Sequence, residues 1–305
     1  MKKDLISIRD LSKGGIDELL ELTQALKSDP SVYYDKLKGK SLGLIFQKPS
    51  NRTRASFEVG MYQLGGHTLY LGPDDIKLGT RESAKDIAQT LSRYLDIIVA
   101  RTFLHKEVTD LAENATIPVI NGLSDLLHPC QALADMFTIK EKFGQFEGLN
   151  MAYIGDGNNV LHSLLYAASK TVMNIKIATP KGYEPDKVIL SQASDIAKET
   201  GSSIEIFYDK KSAARGADIL YTDVWISMGQ EADKQKRLRD FEGFQLDEEL
   251  LSMAKSECVV MHCMPAHRGE EITGDVLDGP HSIVFDQAEN RLHMQKAILL
   301  TLLNC

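Results

Sequence analysis

The strongest constraint on the fold is an alternation of short apolar runs with longer stretches of helical periodicity. Runs that read as buried parallel strands are 42–46, 68–71, 97–101 and 118–121, then 151–155, 175–179, 204–208, 219–222, 259–262 and 283–285. Between them, residues 16–27, 52–64, 82–94, 106–114, 130–143, 160–171, 188–200 and 249–255 repeat apolar side chains at helical spacing. Strands that alternate with helices in this way predict an α/β chain of two doubly wound parallel-sheet domains, with the active site in the cleft between them. The 305 residues are enough for about two domains, each with its own core. A hinge is expected at 142–148, where a long helix ends between Gly144 and Gly148. That places one domain at 1–143 and the other at 148–288, with a final helix, 289–305, packing back on the first.

In such folds ligands collect at the carboxyl ends of the strands, and the unusual residues of this chain fall there. Lys48-Pro49-Ser50-Asn51-Arg52-Thr53-Arg54 follows one apolar run and precedes a helical stripe of Phe57, Met61 and Leu64. A helix N-terminus offers free N–H groups and the positive end of its dipole. With two hydroxyls and two guanidiniums added, the turn suits a small dianion such as phosphate. It lacks the glycine-rich loop of nucleotide hydrolases, which points to a compact phosphorylated metabolite.

Other turns add polar groups. Arg101 closes a buried strand, a costly place for a charge unless it meets a partner or an anion. His128-Pro129-Cys130-Gln131 opens a helix, with Pro129 suited to its first position, and offers His128 and Gln131 as neutral hydrogen-bonding groups. Gly155-Asp156-Gly157-Asn158-Asn159 lacks the third glycine of a dinucleotide fingerprint, and its asparagines suit a helix cap or an amino acid's α-groups. Asp223 offers an acceptor for an ammonium ahead of Gly229, and His262-Cys263-Met264-Pro265 brings a thiol to a strand end. His262, Cys263 and His267 lie close in sequence but lack a second ligand pair, so no metal site is expected.

Composition limits the partners. The formal net charge of −8 argues against generic nucleic-acid or anionic-membrane binding and suits a local basic site that attracts a small anion. Four cysteines without paired spacing read as reduced thiols. No apolar run approaches the roughly 20 residues of a bilayer span. The first residues carry Lys2, Lys3, Asp4, Arg9 and Asp10 rather than a signal-peptide core. A soluble, cytoplasmic protein is the expectation.

Taken in order, these motifs resemble the ornithine carbamoyltransferases of the aspartate/ornithine carbamoyltransferase family, over essentially the whole chain. The resemblance implies carbamoyl phosphate bound by Ser50, Asn51, Arg52 and Thr53, with Arg291 of Glu289-Asn290-Arg291 near the phosphate. It implies that Arg101 and His128, with Thr53, polarise the carbonyl and that Gln131 holds the carbamoyl amide. Asn159, Asp223, Ser227 and Met228 would bind ornithine's α-groups, and Cys263 with Met264 would meet the reacting amine and the carbamoyl group. It further implies no metal and no organic cofactor, and a homotrimer in which the loop of Lys77 reaches a neighbour's phosphate site. Lys77 stands where many relatives carry glutamine, and Asn51 where many carry threonine. Rival readings are a carbamoyltransferase for putrescine, an N-acylornithine or aspartate, a non-catalytic metabolite-binding regulator, and a nucleotide-dependent oxidoreductase. An acidic acceptor would call for more cations in the second half's loops, and the intact polar set speaks against an idle site.

Overall fold

The computed structural model describes residues 4–78, 81–226 and 231–304. They form two units, Met1–Phe137 with Glu289–Cys305, and Thr138–Ala288. Helix Pro129–Phe143 carries the chain from the first unit into the second, and helix Val284–Leu303 carries it back.

The first unit is built on β1 (Ser41–Phe46), β2 (His67–Leu71), β3 (Ile97–Arg101) and β4 (Val119–Leu123), ordered β2-β1-β3-β4 and parallel throughout. All of β1 except Ser41 is buried, and so is all of β3. Continuous apolar strands of this kind need helices on both faces, which is why they read as unbroken hydrophobic runs. The second unit holds β5 (Asn150–Ile154), β6 (Asn174–Ala178), β7 (Ile204–Phe207), β8 (Ile219–Thr222) and β9 (Val259–His262), ordered β7-β6-β5-β8-β9 and parallel. The α/β class expected from the alternation is therefore the one adopted.

Each sheet has one place where the chain's direction of winding reverses. From β1 the chain moves to β2 on one side, while β3 and β4 lie on the other. In the second unit β6 and β7 lie to one side of β5, and β8 and β9 to the other. At such switch points the connecting loops part and leave a crevice at the carboxyl ends of the strands.

One expected strand is not formed. The apolar run 283–285 predicts a strand, but Val284 opens the long helix Val284–Leu303. The extended pairing stops at two bonds with Val260, from Val260 N–H to His281 O and from Ile283 N–H to Val260 O. Gln287 N–H then donates to Ile283 O, and the helical pattern takes over. Beyond Glu289 this helix docks within the first unit. Lys27 Nζ donates to Asn290 Oδ1 at 2.8 Å, and Lys296 Nζ to Gln63 Oε1 at 3.0 Å. Helix Lys234–Asp240 had no counterpart in the sequence reading, because its charged residues show no apolar stripe.

Candidate active site

In the first unit the dianion turn sits where β1 hands over to helix Asn51–Gln63, with β3 alongside. Ser50 is the N-cap, and its Oγ accepts from Thr53 N–H at 3.3 Å. The helix opens with no acidic residue in its first turn, so its dipole end stays unopposed by local charge. Phe46 and Arg101 are register partners, which sets the Arg101 backbone at the same level as the end of β1. Arg101 is buried, as are Thr53, His128, Gln131 and Arg291.

Arg291 ties these pieces together across the sequence. One guanidinium nitrogen donates to Thr53 Oγ1 at 2.9 Å and another to Gln131 Oε1 at 3.1 Å. Gln131 Nε2 donates in turn to buried Asp135 at 2.8 Å, so both ends of the amide are oriented. Burial holds the His128 pKa well below the usual imidazole value, and the guanidiniums of Arg291, Arg101 and Arg52 push it lower. The ring is thus neutral near pH 7. Cys130 is not a nucleophile, since burial pushes its thiol up to about 12. Arg54 stacks 3.8 Å over the Tyr70 ring and pairs with Glu58, which turns it to a local role. Lys77, at φ +43°, lines a hollow of about 450 Å³ with Gln47, Asp74, Phe103 and Glu107.

In the second unit the polar turns after β5 and β8 meet at the switch point. Asn158 caps helix Asn159–Thr171, its Oδ1 accepting from Val160 and Leu161 N–H. Its Nδ2 donates to Asp223 Oδ2 at 2.6 Å. The other Asp223 oxygen accepts from Val224 N–H at 2.8 Å and from the Cys263 thiol at 2.9 Å. Asp223 and Cys263, neighbours only through the β8–β9 pairing, are thereby joined. Asn159, partly exposed, opens the helix, while Asn158 takes the cap. Met264 sits at φ +58°, a left-handed conformation that costs an unbranched residue about 1–2 kcal/mol. Ser227 and Met228 lie outside the described residues.

Three residues of this region escaped the sequence reading. The position of Asn158 in sequence marks a cap or an α-group ligand, and its bond to Asp223 has no local signature. Arg237, inside a run of charged residues, is half-buried and donates to Asp156 at 3.0 Å and to Trp225 O at 2.7 Å. Burial raises Asp156 to about 6, against the downward pull of Arg237. Glu271 is wholly buried against His262. Arg237 finds Asp156 81 residues away, while Glu271 meets His262 and His267 within its own loop, a pairing no helix or strand period marks. Gly157 owes its identity to packing, since a Cβ there would lie 2.4 Å from the Glu184 carbonyl carbon.

Guanidiniums around a neutral imidazole at one switch point, and a buried carboxylate beside a thiol at another, define a two-unit α/β protein equipped for a small anion and an ammonium-bearing group. Two family models divide the chain between them. Residues 3–141 match the carbamoyl-P binding domain of aspartate/ornithine carbamoyltransferase, and residues 147–302 match its Asp/Orn binding domain. The chain is 54% identical to an ornithine carbamoyltransferase of Syntrophus aciditrophicus, over 98% of this chain and 99% of that one. It is 51% identical to the anabolic ornithine carbamoyltransferase of Pyrococcus furiosus, over 97% of this chain and 95% of that one. A solved ornithine carbamoyltransferase from Pyrococcus furiosus superposes with a TM-score of 0.95, covering 97% of this chain and 96% of that one at 51% identity. This chain belongs to the aspartate/ornithine carbamoyltransferase family.

Proposed function

We propose that the chain transfers the carbamoyl group of carbamoyl phosphate to the δ-amine of L-ornithine, giving L-citrulline and phosphate. The observation that carries this reading is the Arg291 guanidinium bridging Thr53 and Gln131 beside a neutral His128. It joins the dianion turn to the turn suited to a carbonyl and an amide. Ser50, Asn51, Arg52, Thr53 and Arg291 hold the phosphate. Arg101, His128 and Thr53 face the carbonyl oxygen, where charge develops as the amine nitrogen attacks the carbon. Gln131 holds the carbamoyl NH₂. The carbon–oxygen bond to phosphate then breaks, and the amine's surplus proton leaves with the departing phosphate or to water. Phosphate is a good leaving group, so the residues need only position and stabilise charge.

Asp223, a buried carboxylate, complements the α-ammonium of ornithine, with Asn159, Ser227 and Met228 completing the acceptor set. Cys263 and Met264 meet the reacting amine and the carbamoyl group. We place the enzyme in the cytoplasm, in arginine biosynthesis, as a homotrimer in which Lys77 contributes a point charge to a neighbour's phosphate. Among the described residues no helix is long and apolar enough to cross a membrane. Domain limits near 1–143 and 148–288, with 289–305 returning to the first, belong to the same proposal. A colorimetric carbamoyl-product assay with ornithine, putrescine, aspartate and N-acetylornithine side by side tests the reading. Ornithine should give the highest kcat/KM, and a preference for any of the other three would overturn it.

A further inference from the structure

β9 ends in His262, wholly buried, and the turn after it carries Cys263 and Met264. Both ring nitrogens of His262 are engaged. Nδ1 accepts from Met264 N–H at 2.8 Å, and Nε2 lies 3.1 Å from Glu271 Oε1. A hydrogen bond received at Nδ1 needs a lone pair there, so the ring proton sits on Nε2 and is donated to Glu271. The same Glu271 oxygen accepts from His267 N–H at 2.5 Å, and its other oxygen faces His267 Nδ1 at 3.7 Å. The His262 backbone is held as well, its N–H donating to Gln287 Oε1 at 2.9 Å. Gln287 is itself fixed by a bond from its Nε2 to Tyr221 OH at 3.2 Å.

A wholly buried carboxylate is an expensive way to fill space. Here it specifies one tautomer of one ring, and that ring holds the N–H of a residue in a left-handed conformation. The neighbouring thiol meets Asp223 at 2.9 Å, so the orientation of this turn also sets where Cys263 points. We propose that Glu271, acting through His262, is a positioning residue for the Cys263-Met264 turn, holding the imidazole as its Nε2–H tautomer so that the turn keeps its reactive orientation. The proposal rests on the reading that Cys263 and Met264 meet the substrates. Glu271 itself touches neither substrate.

Histidine-labelled ¹⁵N NMR reads the tautomer directly, and steady-state kinetics on Glu271→Ala, Glu271→Gln and Cys263→Ala read its consequence. In the wild-type protein His262 should give the resonances of a neutral Nε2–H ring. Glu271→Ala should add the Nδ1–H form and lower kcat/KM for ornithine about 10²-fold, the cost of misplacing a group by about 1 Å. The loss should fall mainly in kcat. Glu271→Gln keeps an oxygen that can accept from Nε2–H and should recover most of the rate, whereas Glu271→Met, of similar volume but without that acceptor, should not, although a purely space-filling role would allow it. If Glu271→Ala does not fold, His262→Asn and His262→Leu replace it. The asparagine oxygen can still accept from Met264 N–H and should retain more rate than leucine. An Nδ1–H or protonated His262 in the wild type, or a folded Glu271→Ala or His262→Leu with unchanged kcat/KM, overturns the proposal. Cys263→Ala separates the two failures. If it loses rate while the Glu271 and His262 variants do not, positioning alone is wrong; if it too is unaffected, the turn does not serve the substrates and both readings fall.

Discussion

At the scale of single residues, the site depends on which groups are charged. His128 is buried among Arg52, Arg101 and Arg291, and all four influences favour the neutral ring. A neutral imidazole donates to a developing oxyanion without titrating in the working range. Ornithine's δ-amine, by contrast, has the character of a lysine amine with a pKa near ~10.4, and only its free base attacks. Activity should therefore rise with pH above neutrality. His128→Ala should lower kcat about 10²-fold, as expected for losing one oxyanion donor, while leaving that rising limb in place. A pH–rate profile of both proteins checks this; a rising limb that vanishes in the variant would assign it to His128 instead. The capped turn of Ser50 to Thr53 was legible in sequence because a cap, two hydroxyls and a guanidinium lie within one turn. The partners of Asn158 and Arg237 were not, because a hydrogen bond across 65 or 81 residues leaves no local pattern; Glu271 reaches His262 within one irregular loop, which has no period to read.

At the scale of elements, the strands were readable because burial on both faces leaves unbroken apolar runs, as in β3. The run at 283–285 misled for the same reason: Ile283 and buried Val284 are apolar, but they lead into a helix. Short apolar runs cannot by periodicity alone be told from the start of a buried helix. Caps set the helix starts, and two of them carry predictions. Ser50→Ala removes the acceptor for Thr53 N–H and should cost about 1 kcal/mol of stability, together with a higher KM for carbamoyl phosphate. Denaturant melts and substrate titrations measure the two effects separately. Gly157→Ala drives a methyl into the backbone at 184–185, where the nearest atom is a carbonyl carbon at 2.4 Å. Overpacking of this kind should cost about 1–3 kcal/mol, read as a lower urea midpoint, and should displace the neighbouring Asn158 cap.

At the scale of the whole molecule, two buried groups act on stability in opposite directions. Asp156 titrates near 6 when folded and near ~3.9 when unfolded, so the folded chain holds the extra proton between those values. Its favourable contribution is present at acid pH and is lost as pH rises through about 6. His128 is the reverse: its folded pKa lies below the unfolded ~6.5, so its contribution is present above that pH and is lost as pH falls. Urea unfolding of Asp156→Asn and wild type from pH 4 to 7 separates them. The variant should gain about 2 kcal/mol relative to wild type between pH 4 and 6, and a constant difference would show that Asp156 titrates normally.

The sequence by itself determined the fold class and the capped, basic turn at the end of β1, because strand burial, helix capping and local charge act over a few neighbouring residues. It could not decide which distant side chains complete each site. That Arg291 reaches Thr53 across 238 residues, and that Asn158 meets Asp223 across 65, follows from how strands order within each sheet and how the last helix docks. Those arrangements are set by packing between elements that sequence distance does not encode.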